Sequence, residues 1–141
     1  MQLTRGADYA VRIMIYLAGI PGNERVLLPA LAKAASAPPS FLSKVLQALT
    51  RAGLIASRRG QQGGFEILPR GREASVLEVV EAIDGPIRLN VCLQHGPSCS
   101  RKTWCSAHPV WQKAQEAMIE VLRSARVANL SPASGGPAAN S

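Results

Sequence analysis

Apolar and polar positions alternate with a helical period over most of the chain. Thr4 precedes a run in which Ala7, Ala10, Val11, Met14, Leu17 and Ala18 share one face. The spacing predicts a helix over 5–18 capped by the threonine hydroxyl, and Pro21-Gly22-Asn23 breaks it. A shorter apolar set, Leu31, Ala32 and Ala35, predicts a second helix over 29–35. After Ser36-Ala37-Pro38, Pro39 suits the first position of a third helix over 39–52. That helix is expected to turn Phe41, Leu42, Val45, Leu46 and Leu49 inward and Ser40, Ser43, Lys44, Gln47 and Arg51 outward, with Gly53 closing it. Two short helices around a tight turn, the second with a polar outer face, are the pattern of a helix-turn-helix.

The spacing then changes. Residues 54–59 and 65–68 read as short strands around Gly60-Gln61-Gln62-Gly63-Gly64, a hairpin that directly follows the recognition helix and so reads as a wing. Arg58, Arg59, Gln61 and Gln62 fall on it or near its tip. Ser75-Val76-Leu77-Glu78 has the form of a capping box opening a helix to Asp84, stopped by Gly85-Pro86. Pro109 fits the first turn of a long helix to Arg126. Its apolar positions (Val110, Trp111, Ala114, Ala117, Met118, Val121, Leu122, Ala125) form a stripe too wide to leave in water. A second copy of the chain is the expected cover, giving a homodimer. The fold class expected is mainly α with a small β-wing: a winged helix-turn-helix domain over 1–85, a cysteine-rich loop over 86–108, and a dimerisation helix over 109–130. The Ser-, Pro- and Gly-rich tail over 131–141 is expected to be disordered.

Charge sharpens this picture. Residues 1–72 carry ten lysines and arginines against three acids, an excess of +7, while residues 73–141 carry six of each. A basic half joined to a neutral half is the footprint of a protein that meets phosphates with one end. The outer face of the third helix offers donors and acceptors to base edges in a major groove, and an arginine at a glycine-rich wing can enter the adjacent minor groove. Double-stranded DNA is therefore the expected partner. Scarce aromatics disfavour readers of single strands, and the glycines match neither G-x-G-x-x-G nor a Walker motif. No run of apolar residues is long enough for a membrane span, and Arg5, Asp8 and Arg12 interrupt any signal-like start. With an odd cysteine count, this predicts reduced thiols and a cytoplasmic protein.

The remaining chemistry is concentrated in one place. All three cysteines, Cys92, Cys99 and Cys105, fall within fourteen residues, and His108 follows the last by three. Thiolates and an imidazole gathered on a loop suit iron or zinc. Zinc sites usually pair ligands as C-x-x-C, which this loop lacks, so the wider spacing favours an iron–sulfur cluster.

Together these residues carry a resemblance. Met1-Gln2-Leu3-Thr4, Asp8-Tyr9-Ala10-Val11-Arg12, the Arg59-Gly60-x-x-Gly63-Gly64 wing and the Cys–Cys–Cys–His loop resemble the bacterial winged-helix iron–sulfur regulators that include IscR, NsrR and RirA. The resemblance implies a homodimer that crosses its long helices on a partly palindromic operator, with a cluster held by Cys92, Cys99 and Cys105. His108 fits the fourth ligand of an IscR-like 2Fe–2S cluster, and Asp8 that of an NsrR-like 4Fe–4S cluster. The 2Fe–2S reading with His108 is preferred, although the Cys92–Cys99 interval is one residue longer than in IscR. The function expected is transcriptional regulation without catalysis, operator binding being set by a cluster that responds to iron, redox state or nitric oxide. The competing readings are a cluster-free thiol sensor, a zinc-stabilised repressor and, in another class, a small metalloenzyme or electron carrier.

Overall fold

The computed structural model describes residues 2–21, 24–60, 63–93, 101 and 103–130. The central element is α1 (Arg5–Ala18), whose face of Ala7, Ala10, Ile13, Met14 and Leu17 is fully buried. Its capping is as the sequence predicts: the Thr4 hydroxyl oxygen accepts from the Ala7 N–H at 3.1 Å. The same hydroxyl donates to the Asp84 carboxylate at 2.5 Å, joining the start of α1 to the end of α5 (Val76–Asp84). Around α1 stand α2 (Leu28–Ala35), α3 (Pro39–Arg51) and α5, with Leu31, Leu42, Leu46, Leu49, Val79 and Val80 completing one core.

The turn between α2 and α3 is tight. Ser36 adopts the left-handed conformation at φ 54°, and the Ala37 N–H returns to the Ala32 carbonyl at 2.9 Å. Pro38 and Pro39 then start α3 at once. One expected core position is different. Phe41 is 42% exposed, because its place on the helix lies between the buried stripe and the outer face. Its ring meets that of Tyr9 in a T-shaped arrangement, 5.5 Å between centroids.

The hairpin pairs β1 (Ile55–Arg58) with β2 (Gly64–Ile67), Arg58 opposite Gly64 and Ile55 opposite Ile67. A partner that the sequence did not reveal lies on the far edge of β2: Val26 and Phe65 exchange both backbone hydrogen bonds, at 2.8 and 2.9 Å. Next comes a single helical turn, α4 (Pro69–Arg72), also missed. Arg72 donates to the Ile20 carbonyl at 2.9 Å and the Ala18 carbonyl at 3.4 Å, so this cation serves the open end of α1.

At Ser75 the cap of α5 forms as expected, the hydroxyl accepting from the Glu78 N–H at 3.1 Å. The long helix is α6 (His108–Ser124), two residues shorter at its end than expected. The chain there turns extended and returns to its own domain. The Val76 N–H donates to Ala125 at 2.7 Å, the Val127 N–H donates to Ala74 at 3.1 Å, and the Val127 side chain is fully buried. A 3₁₀ turn over Val127–Leu130 follows. Among the described residues no helix is long and apolar enough to cross a membrane. The expected disordered tail lies outside the described residues.

Candidate DNA-binding face and cysteine loop

The outer face of α3 carries the predicted set. Ser40, Ser43, Lys44 and Gln47 are all exposed, while Leu42, Val45, Leu46 and Leu49 anchor the opposite side. On the wing, Arg59 is exposed, and Arg58 is paired through Nε to Glu66 at 3.2 Å. Gln61 and Gln62 lie outside the described residues. The Val26–Phe65 pairing also brings Arg25 to the base of the wing. Nothing local in the sequence signals this, because the pairing spans about forty residues.

Asp8 is engaged on α1, where its carboxylate pairs with Arg12 four residues on at 3.1 Å. Arg12 in turn donates to the Ala35 carbonyl at 3.3 Å, at the last turn of α2. The two residues thus brace the first helix of the helix-turn-helix against α1.

Of the cysteine loop, the described parts are its two ends. Cys92 is buried in a 3₁₀ turn over Val91–Leu93, Cys105 is half-buried, and neither forms a disulfide. The loop's second end is wound tightly: the Cys105 N–H donates to the Arg101 carbonyl at 2.8 Å, and the His108 N–H donates to the Cys105 carbonyl at 3.2 Å. That last bond makes Cys105–His108 a single turn, which draws the thiol-bearing and imidazole-bearing residues together. The first end is held to α6, where the Gln115 side-chain carbonyl accepts from the Leu89 N–H at 2.8 Å. Gln115 escaped the sequence reading because its partner lies 26 residues away.

His108 carries the most informative atom. Its Nδ1 is buried and has no hydrogen-bond partner among the described residues. A buried imidazole nitrogen without a partner costs stability unless something else satisfies it, and a metal is one such partner. Among the described residues no three potential ligands stand together; Cys99 lies outside them. The donor types still fit an iron–sulfur group: two free thiols at the loop ends and an imidazole with an open valence.

The profile of the Rrf2 family, described as iron-dependent transcriptional regulators, matches residues 3–133. The chain belongs to the Rrf2 family. NsrR of Geobacillus kaustophilus, an HTH-type transcriptional regulator, is 30% identical over 131 residues, covering 92% of this chain and 89% of that one. Two solved structures share the fold at 24% identity and a TM-score of 0.72. One is CymR, the global cysteine regulator of B. subtilis, with 93% and 96% of the two chains covered. The other is IscR of T. potens, with 92% and 85% covered. This Rrf2 protein is therefore a DNA-binding transcriptional regulator of winged-helix fold and not an enzyme.

The long helix shows two apolar faces. Met118, Ile119 and Leu122 are partly buried against the protein's own core. Val110, Ala114, Ala117 and Val121 are all exposed and follow one another at steps of four, three and four residues. That spacing makes a narrow seam of the kind that pairs helices, with alanines at its centre that permit close approach.

Proposed function

We propose that this Rrf2 regulator acts in the cytoplasm as a homodimer whose operator binding is set by an iron–sulfur cluster. The ligands are Cys92, Cys99, Cys105 and His108, in the 2Fe–2S form. The unpartnered, buried Nδ1 of His108 carries the reading, because it stands one turn from a free thiol and calls for an electrophilic partner. Asp8, bound to Arg12, is the weaker choice for a fourth ligand. A bound cluster would supply a redox- and nitric-oxide-sensitive centre within the loop.

The chain's own residues convert the loop's order into DNA affinity. Cys105 and His108 fix the first turn of α6, and Gln115 ties the other end of the loop to the same helix. The exposed seam of α6 joins the two protomers and so sets the spacing of the two α3 faces. Ser40, Ser43, Lys44 and Gln47 then address the major groove, with Arg58, Arg59, Gln61 and Gln62 at the wing. Half-sites lie about 34 Å apart along DNA, so a small change in dimer geometry lowers affinity steeply.

Anaerobic purification with iron, sulfide and zinc counts tests the proposal. Coloured protein with about two iron and two labile sulfide per protomer supports the 2Fe–2S cluster, and about four of each would replace it with the 4Fe–4S form. Stoichiometric zinc without colour would overturn it in favour of a zinc-stapled repressor. A second reading, reversible thiol oxidation without a cluster, is favoured by the free state of Cys92 and Cys105 and by the fold's likeness to CymR. Protein that takes up no iron on reconstitution, and whose DNA binding responds to oxidant, would establish that reading instead.

A further inference from the structure

Among the described residues the protein buries one charged side chain, and it lies in the wing. Glu66 is 8% exposed in the middle of β2, within the half of the chain that carries the positive excess. A buried carboxylate is costly unless paired. Its partner is Arg58, whose Nε–H donates to Oε1 at 3.2 Å. Arg58 stands opposite Gly64, so it reaches Glu66 on the diagonal, across a position with no side chain to block it. On the other edge of β2, the antiparallel Val26–Phe65 pairing sets Arg25 level with Glu66. The acid therefore lies between two arginines from the flanking strand positions.

The atom that Glu66 holds is decisive. Using Nε leaves both terminal amino groups of Arg58 available, and among the described residues they make no other hydrogen bond. The Arg58 side chain is 56% exposed while that of Glu66 is 10% exposed, so the clamp is sheltered and the guanidinium faces water. A guanidinium fixed by one edge presents the other as a two-pronged donor, which matches a phosphate.

We propose that Glu66 is a positioning residue for DNA binding: it clamps Arg58 so that its free edge meets the DNA backbone, and Arg25 extends the same basic edge. This rests on the reading that the α3 and wing face docks the operator. Plain electrostatics would give the opposite sign. An acid near DNA repels phosphates, so removing it ordinarily strengthens binding; here removal weakens it, because a clamped arginine is worth more than one less negative charge.

The test uses the full-length protein and a duplex selected from random sequence by the wild type, with affinity measured by fluorescence anisotropy at several salt concentrations. Glu66→Gln is expected to bind about five- to tenfold more weakly, with the salt slope reduced by about 1.8, the loss of one phosphate contact in each protomer of the dimer. Arg58→Ala, which removes the phosphate contact and also leaves the Glu66 carboxylate without this partner, should lose at least as much affinity with the same slope, and the double variant should be no worse than Arg58→Ala. Unchanged or tighter binding by Glu66→Gln, an unchanged slope, or losses that simply add would overturn the proposal. Lys44→Ala, measured in parallel, separates the two failures. If it binds normally, the docking face itself is wrong; if it weakens while Glu66→Gln does not, only the clamp is wrong.

Discussion

Replacing Val121 with aspartate on the exposed seam of α6 gives the sharpest test of the dimer. Val121 is 69% exposed in the single chain, so most of its side chain remains to be covered by a partner. Full burial of a valine is worth about 1.5–3 kcal/mol, and the uncovered two-thirds or so corresponds to about 1–2 kcal/mol. A two-fold interface counts the residue twice, giving about 2–4 kcal/mol lost from the dimer before any charge effect. The aspartate adds the cost of desolvating a carboxylate against the alanines of the seam. At about 1.4 kcal/mol per decade, the dimer dissociation constant should rise at least 30- to 1000-fold. Sedimentation velocity across a concentration series reads this directly. The folded core should be untouched, because the residues of α6 that pack on it, Met118, Ile119 and Leu122, lie on another face. A variant that stays dimeric at wild-type concentrations would refute the seam as the interface. A variant that loses its helical signal would show instead that Val121 supports its own domain.

Other outcomes follow from the same geometry. His108→Ala should leave a folded dimer that loses iron to a chelator at least about tenfold faster than the wild type, measured by the decay of visible absorbance. Lys44→Ala and Arg59→Ala should each weaken operator binding and lower the salt slope by about 1.8, one contact from each protomer, with iron content unchanged. Gly63→Ala should disable the wing, because an added Cβ would lie 2.6 Å from the Arg58 carbonyl and 2.8 Å from that of Gly60. Relieving that contact should cost about 1–3 kcal/mol locally, so DNA affinity should fall by more than the modest drop in melting temperature implies.

What the sequence displayed, and what it hid, divides along the range of the interactions involved. The helices over Arg5–Ala18 and Val76–Asp84 follow from apolar spacing and from caps three residues long, and both agree with the structure. The outward set on α3 was legible for the same reason. Hidden features depend on distant partners. Val26 joins the wing through Phe65, Gln115 holds Leu89, and Val127 fills the core beside Ala74, and no local period announces any of these. Net charge also overstated the DNA face. Arg72 holds carbonyls at the end of α1, and Arg12 binds Asp8 and Ala35, so part of the positive excess is structural. Phe41 misled because apolar character alone does not separate the flank of a helix from its buried stripe.

The position of α6 gives the proposed cluster a route from a loop of the neutral half to a DNA face in the basic half. Its first turn contains His108 and closes on Cys105, and its middle holds Leu89 through Gln115. Its inner face rests on the core, and the segment after it pairs with the start of α5 through Val76 and Ala74. That helix ends at Asp84, whose carboxylate accepts a hydrogen bond from the Thr4 hydroxyl at the start of α1, and α1 braces α2 through Arg12. These contacts tie each helix to its neighbour, so a displacement of one packed element is passed to the next. Under the proposed mechanism, ordering or releasing the loop would act first on the tilt of α6. In the proposed dimer the outer seam of α6 also meets the partner, so one change of tilt would alter both the attachment of each winged helix and the spacing between the two. A two-state dimer needs only a small free-energy difference between these arrangements for loop order to decide which one meets DNA.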